Sequence, residues 1–184
     1  LGNVPRIRDV ETMLEIVESL GAEVEWEGEN TVRVDAGDVE EGRPDPDLAR
    51  RIRASLLLAG PLLARFGRVS LPPPGGDVIG RRRLDTHFLA FRKLGAEIEL
   101  HQDGFEIRGE ELRARSMFLD EPSVTATENA IMAAVAASGV TVIRNAAAEP
   151  HVQDLCQLLN GMGARIGGIG THTLEIEGVD ALGG

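Results

Sequence analysis

Aromatic side chains are scarce: one Trp, five Phe and no Tyr in 184 residues. Proteins that hold single-stranded nucleic acid stack bases on aromatic faces, and this chain has few to offer. Its formal net charge of −11 points the same way, because phosphate backbones recruit basic surfaces. No nucleic-acid partner is expected. Cysteine is rarer still. Cys156 is alone, so no disulfide can form within the chain, and it stands on the apolar face of Asp154-Leu-Cys-Gln-Leu-Leu159, where a buried structural thiol is expected. The four histidines (His87, His101, His151, His172) have no metal-ligand spacing and no cysteine pair to join them, so neither a metal site nor any other cofactor is expected. No apolar run is long enough to cross a bilayer: the longest, Leu56 to Ala64, is short and carries Gly60-Pro61. The first residues lack the basic, apolar and small-residue succession of a signal segment. A soluble cytoplasmic protein with no membrane partner is the expectation.

What is present is enough for a core: 42% of residues are apolar, and the length suits one domain or one domain cut from a larger protein. Charge is unevenly spread. Between Arg51 and Arg92 stand eight Arg and two Asp, a local +6 that leaves −17 for the remainder. A basic island in an acidic chain suggests a small anionic ligand held at one place.

The chain repeats itself. Leu20-Gly-Ala-Glu-Val24, Leu94-Gly-Ala-Glu-Ile98 and Met162-Gly-Ala-Arg-Ile166 are three copies of one junction, each ending a helix with a glycine suited to a left-handed turn. Each opens a hairpin whose returning strand alternates apolar and charged residues: Val32 to Ala36, Phe105 to Gly109 and Leu174 to Gly178. That alternation marks a sheet with one wet face. Amphipathic helices precede the junctions, over Asp9 to Leu20, Leu84 to Leu94 and Val152 to Met162, the last placed after Glu149-Pro150. In the second and third copies a strand precedes that helix, Arg68 to Leu71 and Val140 to Arg144. Another helix precedes the strand, Pro46 to Phe66 and Thr127 to Ser138. These last helices are apolar on nearly all sides and belong inside. Each unit is therefore helix, strand, helix, hairpin, with buried helices and outer sheets. The first copy starts at Leu1-Gly-Asn-Val-Pro5, where the others have the end of the strand. One buried helix and most of one strand are absent by that analogy, and a fragment is expected.

Two loops stand out. Leu71-Pro-Pro-Pro-Gly-Gly-Asp-Val-Ile-Gly-Arg-Arg-Arg-Leu-Asp-Thr-His-Phe88 mixes stiff proline with permissive glycine and puts one acid, Asp77, beside three arginines. Glycine lets a backbone approach a ligand closely and arginine pairs with phosphate in a fork, although a surface turn with a solvated charge run is the commoner meaning of a basic triplet. Pro122-Ser-Val-Thr-Ala-Thr-Glu128 places Thr125 and Glu128 at capping-box spacing. A plain helix start is the simplest reading, and helix starts also present free N–H groups to anions. Neither loop fits a Walker A or a dinucleotide fingerprint.

Loops and repeats together resemble the enolpyruvyl transferases, and within them the branch that acts on UDP-N-acetylglucosamine. The segments that carry the resemblance are Asn3 to Val10, Arg53-Ala-Ser55 with Gly60 to Gly67, Pro74-Gly-Gly-Asp-Val-Ile-Gly80, Asp85-Thr-His87, Ala126-Thr-Glu-Asn129, Asn145 to Pro150 and Ile176 to Gly184. They span the whole chain in order. The resemblance implies an inside-out α/β barrel domain of the enolpyruvyl transferase type, with residues 1–184 forming one such domain whose first unit is incomplete. A partner domain of the same full-length chain would lie outside it. The shikimate-pathway relative shares the fold and resembles these segments less.

The resemblance also implies a chemistry. Enolpyruvyl would pass from phosphoenolpyruvate to the 3-hydroxyl of UDP-N-acetylglucosamine with release of phosphate, in the first committed step of peptidoglycan synthesis. Asp77 matches the family's usual cysteine acid, and Arg82 the arginine on the phosphate-bearing substrate. Arg53 matches a residue at the sugar nucleotide. Arg82, Arg83, Leu84, Asp85 and Thr86, with His87 next in the run, match the segment that lines the uridine. Glu121, Pro122, Ser123 and Val124 match a second wall of that pocket. Several departures stand beside these matches: Asp77 for cysteine, Pro72-Pro73-Pro74 lengthening the loop, Arg83 for proline and Thr125 for glycine. Asp in place of cysteine implies resistance to fosfomycin, which a thiolate opens. A homologue that only binds nucleotide sugars is the alternative of a different class, and an anion-binding structural module is a third.

Overall fold

The computed structural model describes residues 1–76 and 83–184. Its elements follow the repeat. The first unit holds α1 (Arg8–Ser19), β1 (Glu23–Trp26) and β2 (Val32–Asp35). The second holds α2 (Pro46–Ala49), a 3-10 helix (Arg53–Leu58), α3 (Ala59–Phe66), β3 (Arg68–Leu71), α4 (Asp85–Lys93), β4 (Glu97–His101) and β5 (Gly104–Arg108). The third holds β6 (Ser116–Phe118), α5 (Val124–Ala134), β7 (Val140–Arg144), α6 (Pro150–Gly161), β8 (Arg165–Gly167) and β9 (Thr173–Glu177).

The three junctions are near-copies in space. Gly21, Gly95 and Gly163 have φ of 101°, 99° and 105°, a left-handed conformation that costs glycine little. The N–H of each following alanine (Ala22, Ala96, Ala164) returns to the carbonyl of Val17, Phe91 or Leu159, so the last turn of each helix is closed before the hairpin begins. The sheets repeat as well. Their orders are β3-β5-β4 and β6-β7-β9-β8, with β3 and β7 antiparallel to the returning strands β5 and β9. The first sheet is β1-β2, and Leu1 exchanges backbone hydrogen bonds of 2.8 and 2.9 Å with Val32 at its edge. Leu71 opposite Phe105 and Ile143 opposite Leu174 occupy the same place in the other units.

Helices lie inside and sheets outside, and among the described residues the three sheets stay separate. The segment α5 is the hub, packed against α3, α4, α6 and the 3-10 helix. Ala126, Ala130, Ile131, Ala133 and Ala134 are wholly buried, so small side chains let the helices approach while Ile131 fills the gap. Cys156 is wholly buried on α6, and burial pushes its thiol up to about 11, as suits an inert core residue.

Several sequence expectations are corrected. Pro46 to Phe66 is not one helix. Asp45 caps α2 and the chain turns extended at Ile52, with φ −133° and ψ 145°. The Ser55 hydroxyl then contacts the carbonyls of Ala49 and Ile52 across the break. No glycine or proline between Asp47 and Ala59 marks the break in the sequence. Thr125 and Glu128 do not form the cap of α5. Ser123 is the N-cap, its hydroxyl accepting from the Ala126 N–H at 3.4 Å, and the helix begins before Thr127. Strand β6 went unforeseen; it runs parallel to β7. The wet face of the second sheet is interrupted by Glu106, buried beneath Arg68 (2.7 Å) and Arg108. The hydrogen bond from Arg68 is the first cause holding its carboxyl below the usual range.

Candidate functional site

Two of the candidate residues, Asp77 and Arg82, lie outside the described residues. The others gather where the starts of α4, α5 and the 3-10 helix meet. Arg53 opens the 3-10 helix and is half-buried. Arg83 and Asp85 are exposed at the start of α4, with Leu84 half-buried between them. Glu121 and Pro122 are exposed ahead of α5, and Ser123 and Val124 are half-buried. Thr86 and His87 are different: both are buried, and their polar atoms are engaged within the protein.

Those engagements hold the two helix starts together. The Thr86 hydroxyl donates to Asp120 Oδ1 at 2.6 Å and lies 3.4 Å from Glu121 Oε1. The next residue, His87, meets Thr125 Oγ1 through Nε2 at 3.2 Å and Asn129 Nδ2 through Nδ1 at 3.1 Å. Asn129 continues to the second unit's buried segment. Its Nδ2 donates to the Leu56 carbonyl at 3.0 Å and its Oδ1 accepts the Gly60 N–H at 2.7 Å. Consecutive residues of α4 are thus latched to the lead-in of α5 and to α5 itself, and α5 is latched to the segment that Arg53 opens. Burial, and then the positive charge of Arg53, lower His87 to about 4, so its ring is neutral at neutral pH.

The root of the Pro/Gly loop is fixed on this same segment. A side chain at Gly75 would place a Cβ 1.5 Å from the Arg50 carbonyl oxygen, and one at Gly76 would lie 3.3 Å from the Arg53 nitrogen. Gly76 also has φ 85°. The glycine pair therefore serves a close approach of backbone to backbone, which brings the chain that leads to Asp77 against Arg53. Ligand approach was the expectation for these glycines; the described contact is with the chain itself.

Asn129 and Asp120 were not singled out by sequence reasoning. A signal existed for Asn129. A polar amide in a helix that is apolar all round must find partners, because a buried unsatisfied amide is costly. Asp120 carried no comparable signal, since an exposed acid ahead of a helix is ordinary.

A repeated unit with buried helices and outer sheets defines the class. The fold is that of the enolpyruvyl transferases. The enolpyruvyl transferase NikO from Streptomyces tendae superposes with a TM-score of 0.81 at 24% identity, over 97% of this chain and 42% of that one. EPSP synthase from Acinetobacter baumannii superposes with a TM-score of 0.72 at 18% identity, over 96% of this chain and 40% of that one. The family model for EPSP synthase (3-phosphoshikimate 1-carboxyvinyltransferase) matches residues 1–184, and the chain belongs to that family. Among its relatives, the UDP-N-acetylglucosamine 1-carboxyvinyltransferase of Bradyrhizobium diazoefficiens is 60% identical over 183 residues, covering 100% of this chain and 42% of that protein. That of Treponema denticola is 55% identical over 184 residues, covering 100% and 43%. The chain spans less than half the length of these relatives.

Proposed function

We propose that residues 1–184 form one domain of a cytoplasmic UDP-N-acetylglucosamine 1-carboxyvinyltransferase. The whole protein moves enolpyruvyl from phosphoenolpyruvate to the 3-hydroxyl of UDP-N-acetylglucosamine and releases phosphate, and a second domain of the same full-length chain completes the site. The observation that carries this reading is the 60% identity to the Bradyrhizobium relative across the whole of this chain. The latched helix starts support it, since Thr86 and His87 tie the start of α4 to the lead-in of α5 and the loop root seats on Arg53.

In this reading Asp77 is the acid. Its proton goes to the methylene carbon of phosphoenolpyruvate while the sugar 3-hydroxyl oxygen bonds to the neighbouring carbon and gives up its own proton to a carboxylate of the second domain. Loss of phosphate and of a proton from the former methylene carbon then restores the double bond. A free Asp has a pKa of about 3.9 and is ionised at neutral pH. Phosphoenolpyruvate and a diphosphate bring negative charge to the loop and closure expels water, and both favour the protonated carboxyl. Arg82 offers its fork to phosphate. Arg53, Arg83 to His87 and Glu121 to Val124 bind or shape the sugar-nucleotide pocket, with Thr86 and His87 acting from beneath. Fosfomycin resistance follows from a carboxylate where a thiolate would open the epoxide.

The test is phosphate release by the full-length protein from phosphoenolpyruvate with UDP-N-acetylglucosamine or with shikimate 3-phosphate as acceptor. Release with the nucleotide sugar alone is expected. Release with shikimate 3-phosphate alone contradicts the reading, and binding of the sugar nucleotide with no release favours the non-catalytic homologue. Asp77→Cys should gain a fosfomycin adduct by intact mass that the natural protein lacks.

A further inference from the structure

The hydrogen bonds beneath the site have a direction. Asn129 is held between backbone partners of opposite kinds: the Gly60 N–H fixes its Oδ1 and the Leu56 carbonyl fixes its Nδ2. The amide cannot turn over without losing both. Its Nδ2 must therefore donate to His87 Nδ1, 3.1 Å away. A neutral ring that accepts at Nδ1 carries its hydrogen at Nε2, so His87 donates to Thr125 Oγ1 at 3.2 Å. Burial and the charge of Arg53 keep the ring neutral, which the direction requires. Thr125 then accepts a hydrogen bond from the ring and cannot donate its own hydrogen back to it. Its hydroxyl hydrogen has no acceptor among the described residues, and the residue is half-buried in the first turn of α5, directly after Glu121 to Val124.

We propose that Thr125 is a specificity-determining residue: a hydroxyl whose proton is turned outwards by the run from Asn129 through His87, to be donated to an acceptor oxygen of the bound nucleotide sugar. The proposal rests on the functional reading above and adds a ligand contact to it. A serine or threonine hydroxyl ordinarily rotates to suit its surroundings. Here the orientation towards the ring is closed before the ligand arrives, so part of the ordering cost of the contact is already met by the fold. The arrangement also gives His87 a defined part, as a positioning residue that acts through Thr125.

The test is calorimetric titration of full-length wild type, Thr125→Ser, Thr125→Val and Asn129→Asp with UDP-N-acetylglucosamine, with unfolding temperatures measured alongside. Valine keeps the shape of threonine and removes the hydroxyl, and it should weaken binding by about tenfold. Serine keeps the donor and should bind within about twofold of wild type. Asn129→Asp reverses the direction. A carboxylate accepts from His87 Nδ1–H, leaves Nε2 bare, and draws the Thr125 proton inwards. It should weaken binding as valine does with the hydroxyl still in place, and nitrogen-15 shifts of His87 should move from the Nε2–H to the Nδ1–H tautomer. Should Asn129→Asp fail to fold, the valine and serine pair decides. Unchanged affinity in Thr125→Val overturns the proposal, as does a loss that serine does not restore. A wild type that binds no UDP-N-acetylglucosamine sinks the functional reading together with it, whereas binding that is equal in wild type and Thr125→Val sinks this proposal alone.

Discussion

The connection after β7 and the connection after β3 occupy the same place in two repeats and are built differently. After β7, residues 145–149 reach α6 in a short turn tied down by hydrogen bonds. Asn145 takes a left-handed φ of 59° and its Nδ2 donates to the Leu119 carbonyl at 2.8 Å. Ala146 N–H bonds to the His172 carbonyl and Ala147 N–H to Thr127 Oγ1. The first unit does much the same: Asn3 has φ 57°, and Val4 N–H bonds to the Asn30 carbonyl at 2.8 Å. After β3 the path to α4 covers residues 72–84, more than twice the span, with no asparagine at its start. Three prolines and two glycines take its place, and the glycines seat on Arg50 and Arg53. A threefold scaffold can hold two copies of a connection as short bonded turns and enlarge the third, the one that carries Asp77 and Arg82 in the proposed reading.

The comparison can be broken at either connection. Gly75→Ala should have the largest effect. Its Cβ would meet the Arg50 carbonyl, so the loop root must move, at a cost of about 3 kcal/mol by overpacking. Turnover of the full-length protein should fall on the order of a hundredfold, the effect of misplacing a reacting group by about an ångström. Asn145→Ala should cost about 2 kcal/mol, from left-handed strain and the lost bond to Leu119, with turnover of the folded protein unchanged. Asn145→Gly should cost less, because glycine removes the strain alone. Denaturant unfolding and steady-state kinetics on the same samples separate these outcomes.

The smallest effect concerns the latch. His87 is lowered from 6.5 to about 4 by burial and by Arg53, so the unfolded chain takes up a proton at a higher pH than the folded one. Its contribution to stability is complete above pH 6.5 and is lost progressively as the pH falls towards 4. About 1 kcal/mol should go between pH 6.5 and 5.5. His87→Gln should flatten that slope. Buried Glu128 is pushed the other way, chiefly by desolvation, so the difference between wild type and His87→Gln, rather than the raw slope, reports His87.

Much of the scaffold was legible because it repeats. Three Gly-Ala junctions and three alternating returning strands each announced themselves by local chemistry. The interior was harder. From Pro46 to Phe66 the break at Ile52 rests on Ser55 reaching back to Ala49 and has no glycine or proline to mark it, and β6 is too short to show a period. For the site, it was the resemblance that implied Arg53, Arg83 to His87 and Glu121 to Val124, and all of these lie among the described residues. Sequence could not show that Thr86 and His87 turn inwards, since that depends on Asp120 and Asn129, distant partners with no fixed spacing from α4.

The central claim is that the enlarged connection carries the reaction while its counterpart only turns the chain. Phosphate release by full-length Asp77→Asn and Asn145→Ala, measured beside wild type with phosphoenolpyruvate and UDP-N-acetylglucosamine, tests it directly. Asp77→Asn should lose a factor of about 10² to 10⁴ in turnover while still binding UDP-N-acetylglucosamine, as expected when a general acid is removed. Asn145→Ala should turn over as wild type does wherever it is folded. Turnover that survives Asp77→Asn, or that falls equally in both variants, would contradict the account.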